Sequence, residues 1–195
     1  EQLNKLSSAD ITSKQYRTYN LVNSPRTINI IGFTGTGYGQ NLSSKMREAL
    51  QRAVANYNAL NMGLTFTLTF GTDYDAYDIV VYKNSNGQAG GVAGFPSGGN
   101  PYKWVQIFSG MENYSTATNE HVMTHEIGHT LGLSHVDNIK SIMHPIAQQK
   151  AYGVVKDVVT LASGYIAWHP FCTINNNTIV YNGYTGYTVY TVYTV

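Results

Sequence analysis

Apolar and polar positions follow two rhythms along this chain, and each marks a different kind of element. In RTINIIGF (26–33), which follows Pro25, β-branched residues crowd a short run and predict a strand. The period then lengthens: Met46, Leu50, Val54 and Tyr57 recur at helical spacing behind Ser43 or Ser44 as a cap, which predicts a helix to about Leu60. LTFTLTFG (64–71) returns to alternation, and DIVVYK (78–83) and KWVQIFSG (103–110) are strand-like runs. Between the last two lies a glycine-rich stretch, 84–102, with a short strand predicted at Gly91–Phe95.

Asn119 stands where an N-cap is expected, after the polar stretch MENYSTATN, and a helix should run from there through EHVMTHEIGHTLG. A third, shorter helix is predicted within 155–165, where Val158, Val159, Leu161 and Ala162 cluster. The tail TIVYNGYTGYTVYTVYTV (178–195) repeats Tyr-Thr-Val with almost no charge; unpaired it would aggregate, so it should form a hairpin or an edge strand. A strand, a long helix and then several strands predict a mixed sheet backed by a helix. Residues 1–23 are polar and lack periodicity. They read as a leader packed on the domain surface, or a propeptide remnant, leaving 24–195 as a single domain.

Composition narrows the setting. Apolar residues make up 43% of the 195 and charged residues only 12%, the difference being filled by 16 Tyr, 19 Gly and many Asn, Thr and Ser. Such an uncharged polar surface suits a secreted protein, and with Glu1 at its start and no signal peptide the chain reads as a processed form. A formal charge of +1 gives no basis for a nucleic-acid or anionic-membrane partner, and no apolar run is long enough to span a bilayer; a monomer is expected. The single cysteine, Cys172, excludes an internal disulfide and a Cys-rich metal site, and reads as a small buried apolar residue. TGTGYGQN (34–41) is glycine-rich, but without a following Lys it is no phosphate loop.

The chemistry concentrates in HEIGHTLGLSH (125–135), which holds three of the six histidines. On a helix, residues four apart project about 40° from each other around the axis, so His125 and His129 share a face and can both reach one zinc ion. Glu126 is too close to His125 to be an easy third ligand but is placed to hold a water beside the metal. Val122, Met123, Ile127 and Leu131 anchor the helix. His135 can complete the set only if the helix stops and the chain turns back. Gly132 is where that turn is expected, since glycine accepts the left-handed backbone that ends helices. Gly128, inside the helix, calls for a different cause: close approach of a packing neighbour.

HExxHxxGxxH resembles the zinc signature of the metzincin metalloendopeptidases. SIMHP (141–145) is similar to the Met-turn of that group, with Met143 eight residues after His135 as in matrixins. The HEIGH core, with KQYRTYNLV and GVAGFP, most resembles the bacterial dual-action HEIGH metallopeptidases. The resemblance implies an α+β fold: a twisted mixed β-sheet with an antiparallel edge strand, a backing helix and an active-site helix. It further implies a division at the third histidine, into an N-terminal subdomain (24–132) and a smaller C-terminal one (133–195).

The same resemblance implies one catalytic Zn2+ held by His125, His129 and His135, Glu126 as general base and acid, and Met143 as hydrophobic floor. Gly91, Val92, Ala93, Gly94 and Phe95 would pair with an extended peptide substrate, and Pro145 with the residues after it would wall the pocket for the side chain following the scissile bond. Astacins and serralysins carry a Tyr two residues after the Met; here that position is Pro145, so no Tyr ligand is implied. His144 reads as structural, with a contribution to the transition state as the alternative. Asp137 is either a contact to a ligating histidine or a solvated turn residue.

Matrixins and serralysins often bind structural Ca2+, which makes Asp73, Asp75 and Asp78 candidates. Their spacing lacks the Gly and terminal Glu of an EF-hand loop and reads as ordinary turn acids. The chain is thus expected to be a secreted, bacterial zinc endopeptidase acting on proteins or peptides. Two alternatives are a zinc-containing binding module without catalysis, against which the intact Glu126 argues, and a latent proenzyme whose residues 1–23 occupy the cleft. No Cys lies in that segment to bind the metal, which leaves Asp10 as a weak candidate.

Overall fold

The computed structural model describes residues 17–60, 62–135 and 142–145, and the backbone of five strands between 159 and 191. Asp10, Asp137, the residues directly after Pro145 and the side chain of Cys172 lie outside the described residues.

Five strands form a mixed sheet: β1 (Arg26–Phe33), β2 (Leu64–Gly71), β3 (Ile79–Asn84), β4 (Gly91–Ala93) and β5 (Trp104–Phe108), in the order β2-β1-β3-β5-β4. The first four in that order run parallel, and β4 pairs antiparallel with β5 at the edge. The order follows from the helices: parallel neighbours need a crossover, and α1 (Ser44–Ala59) supplies it between β1 and β2. Ser43 Oγ accepts the Met46 N–H at the head of α1, and Met46, Ala49, Leu50, Ala53, Val54 and Tyr57 are buried along one stripe. That stripe meets Ile28, Ile30, Ile79 and Val81 from the sheet. Arg26 of β1 pairs with Asp78 just before β3, and the other Asp78 oxygen accepts the Asn29 N–H.

The second helix, α2 (Thr116–Leu131), is buried almost all round, from Thr118 to its end. Tyr57 on α1 donates its hydroxyl to the Thr124 carbonyl at 2.8 Å, and Asn56 donates to Glu120 at 2.8 Å, which fixes the two helices against each other. The cap of α2 is not Asn119 but Ser115, whose Oγ accepts the Thr118 N–H at 3.1 Å. Asn119 sits in the first turn and turns inward, donating its amide to the carbonyls of Met111 and Ser115, both at 3.0 Å. Either residue type can cap; the polar run 116–118, which lacks a visible apolar stripe, folds as helix because tertiary contacts hold its side.

Two further expectations change. The paired part of the edge strand ends at Ala93, so Gly94 and Phe95 continue beyond it without a sheet partner. Within 155–165, where a helix is expected, the described residues form strands instead: β6 (Val159–Leu161) and β7 (Gly164–Ile166) pair antiparallel. The β-branched Val159, Thr160 and Ile166 with Tyr165 outweigh the helical spacing of Val158, Leu161 and Ala162. The tail pairs as expected, β9 (Thr178–Gly183) with β10 (Gly186–Thr191), and β8 (Cys172–Asn175) joins β9.

The chain before β1 is stitched to the far end of α2. Arg17 bridges Leu133, and Thr18 N–H bonds the Gly132 carbonyl at 2.8 Å. Asn23 N–H bonds the Gly99 carbonyl at 2.9 Å. Among the described residues no helix is long and apolar enough to cross a membrane.

Candidate metal centre

α2 carries His125 and His129 one turn apart, and both rings are fixed from behind. The His125 Nδ1–H donates to the Ile142 carbonyl and the His129 Nδ1–H to the Leu133 carbonyl, each at 2.7 Å. Bonding to a carbonyl places the proton on Nδ1 and leaves Nε2 of each ring bare, which is the form that binds a metal.

Gly132 then ends the helix in the left-handed region (φ 108°), with Leu133 N–H returning to the Gly128 carbonyl at 3.0 Å. That turn brings His135 back. Its Nε2 lies 3.1 Å from Nε2 of both His125 and His129. Nitrogens held about 2.0–2.1 Å from one zinc in tetrahedral array are separated by about 3.3 Å, so the three rings fit that ion and leave its fourth position for a water or substrate. Among the described residues this is the one group of three able to hold a metal ion.

Burial keeps His125 and His129 unprotonated. It lowers His125 to about 3, helped by repulsion from His129, and it lowers His129 as well. The opposite sign appears at Glu126, whose carboxyl burial pushes up to about 8 while an N–H bond from Ala93 acts to lower it. Glu126 lies against the edge strand: a Cβ on Gly91 would stand 2.9 Å from its Cγ. The edge strand therefore positions the acid.

Phe108 N–H bonds the Gly90 carbonyl at 2.9 Å, so the antiparallel ladder next bonds at Val92 and Gln106. Gly91 and Ala93 consequently turn their backbone groups away from β5, toward the open edge. Val92 and Phe95 are each 45% exposed along it, and the Phe95 ring meets His129 edge-on at 5.3 Å. Beside the cluster opens a cavity of about 490 Å3, whose lining includes Gly91, Glu126, His125, His135, His144 and Pro145.

Met143 is fully buried, and its thioether explains the glycine inside the helix. A Cβ on Gly128 would lie 2.7 Å from Met143 Sδ. The three aspartates behave as turn acids: Asp78 is paired with Arg26, and Asp73 accepts the Asp75 N–H at 3.4 Å. Nothing at them supports Ca2+. Two features escaped the sequence: the Ala93–Glu126 contact, which joins residues distant in the chain, and His121. The latter lies one turn before His125, so the spacing His121, His125, His129 was the signal that could have found it.

A family model described as "Dual-action HEIGH metallo-peptidase" matches residues 1–150. No curated protein sequence matches the chain. Among solved structures, "Structure of Myroilysin" is similar at 14% identity and a TM-score of 0.43, over 58% of this chain and 44% of that one, so the chain spans less than half of that protein's length.

Proposed function

The chain belongs to the dual-action HEIGH metallopeptidases, and from this premise we propose that it acts on protein or peptide substrates as a zinc-dependent endopeptidase with Glu126 as its general base and acid. The observation that carries the proposal is the convergence of three imidazole nitrogens, His135 Nε2 lying 3.1 Å from Nε2 of both His125 and His129, beside a buried carboxyl and an open sheet edge.

His125, His129 and His135 would hold the ion. When bound, zinc supplies Lewis acidity, lowering the pKa of a water toward about 7 and polarising the scissile carbonyl. An extended peptide would add to β4 through the backbone groups of Gly91 and the Ala93 carbonyl, the Ala93 N–H being given to Glu126, with Val92 to Phe95 flanking it. Glu126 takes a proton from the attacking water and gives it to the departing amine nitrogen, so one C–N bond is exchanged for one C–O bond. Burial raises the basicity of Glu126, which favours the first transfer. Met143 would floor the site and Pro145 would wall the pocket for the side chain that follows the scissile bond. The low charge and abundant tyrosine support action outside the cell.

Glu126→Ala should retain zinc and lose peptide hydrolysis, whereas His135→Ala should lose both, read by metal analysis and by casein cleavage with and without a chelator. Full activity of Glu126→Ala would overturn the assignment.

A further inference from the structure

His121 is 4% exposed, and among the described residues neither of its ring nitrogens has a hydrogen-bond partner. A neutral imidazole carries one donor and one acceptor, and leaving both unmet in a protein interior is destabilising and rare. The residue lines the same cavity of about 490 Å3 that opens beside the metal site. The structure thus holds an unsatisfied polar group at the wall of a cavity that a substrate side chain would enter.

The rest of that lining restricts what the side chain can be. Phe108, Met111 and Val122 give it apolar walls, Met111 and Val122 being themselves buried. Among the described residues that line it, Glu126 is the one acid and there is no lysine or arginine, so a charged side chain would find no fixed counter-charge from them. An aromatic shaft ending in a hydroxyl suits both parts: the ring would contact Phe108 and Met111, and once the His121 ring turns one of its buried nitrogens to the cavity, the hydroxyl can donate to it or accept from it.

We propose that His121 is a specificity-determining residue, selecting a tyrosine side chain in the position that follows the scissile bond through a hydrogen bond to the phenolic hydroxyl. This rests on the peptidase function proposed above and on the assignment of the cavity to that substrate position. A pocket built to bond a hydroxyl discriminates against the analogue that lacks it, because its own polar group is then left unpaired.

The test uses the zinc-loaded full chain and a peptide series differing only after the scissile bond, with Tyr, Phe, Gln or Leu there. The expected kcat/KM for Tyr exceeds that for Phe by at least about tenfold. His121→Leu should bring the ratio below about twofold, and His121→Asn, which keeps a donor and an acceptor, should restore part of it. A merely structural histidine would change overall rate or folding but not this ratio. A wild-type ratio near one, or a Tyr preference that survives in His121→Leu, overturns the inference while leaving the peptidase function intact. The wild-type series decides even if a variant fails to fold. No cleavage of any peptide by the zinc-loaded chain would instead overturn the peptidase proposal, and the inference with it.

Discussion

Gly128→Ala sets two effects of opposite sign against each other, and the structure decides between them. In an exposed helix the change would stabilise by about 1 kcal/mol, because glycine is the poorer helix former. Here the new Cβ would lie 2.7 Å from Met143 Sδ, with Tyr57 Oη at 3.3 Å and Leu133 Cδ1 at 3.4 Å closing the other directions. Methionine adapts readily, yet Met143 is 0% exposed and has little room to withdraw. Overpacking of a filled core costs about 1–3 kcal/mol, so a net loss of about 1 kcal/mol is expected in urea unfolding of the metal-free protein. The consequence reaches the metal site, since displacing Met143 moves the neighbouring Ile142 carbonyl that receives His125 Nδ1–H at 2.7 Å. Zinc affinity, measured by competition with a chromophoric chelator, should fall by up to about tenfold. Met143→Ala, costly alone at about 2–5 kcal/mol, should cost at least about 0.5 kcal/mol less in the Gly128→Ala background. A Gly128→Ala protein that gains about 1 kcal/mol and binds zinc as before would refute the packing argument.

Glu126 is held protonated up to about 8 against 4.5 for an ordinary carboxyl, so its contribution to the metal-free fold is complete below pH 4.5 and lost as pH rises through 8. Glu126→Gln, having no such proton, should therefore gain stability relative to wild type across that window and hold a constant difference above it; a difference independent of pH would contradict the shift. Gly132→Ala should cost about 1–2 kcal/mol for the left-handed backbone and weaken zinc binding by displacing His135, as its Cβ would also meet the Asn20 carbonyl oxygen at 2.9 Å. Ser115→Ala should cost about 1 kcal/mol in urea unfolding by removing the cap of α2, and equal stability would return the cap to Asn119.

The three-histidine cluster was legible because its rules are local. Spacing along one helix puts His125 beside His129, and a glycine three residues on can only be a stop if His135 is to return. Gly128 was legible as a packing position, though not its partner, because Met143 arrives from another part of the chain. The stripe of α1 and the alternation of β2 also read directly. The strand order did not, since parallel pairing depends on which way each crossover packs. Ser115 was missed because Thr116, Ala117 and Thr118 show no apolar period; their helical state comes from the residues packed around them. The pair β6–β7 was missed because a short apolar run fits either period, and only the β-branched content favoured strands. His121 carries a readable spacing, but its lack of partners among the described residues is a property of three dimensions.

The stitching of Arg17 and Thr18 to Leu133 and Gly132 bears on how long a metal ion would stay. His125 and His129 ride on a buried helix, whereas His135 is exposed and lies just past the turn that these residues clasp. Release of a chelated ion proceeds one ligand at a time, and the loosest arm leaves first. The clasp keeps that arm close enough to rebind before the other two let go, as a tether raises the local concentration of its cargo. Cutting the chain between Thr18 and β1 would thus shorten the residence time of the ion far more than it slowed its capture. Residues that read in sequence as a leader packed on the domain surface would then be part of the cage.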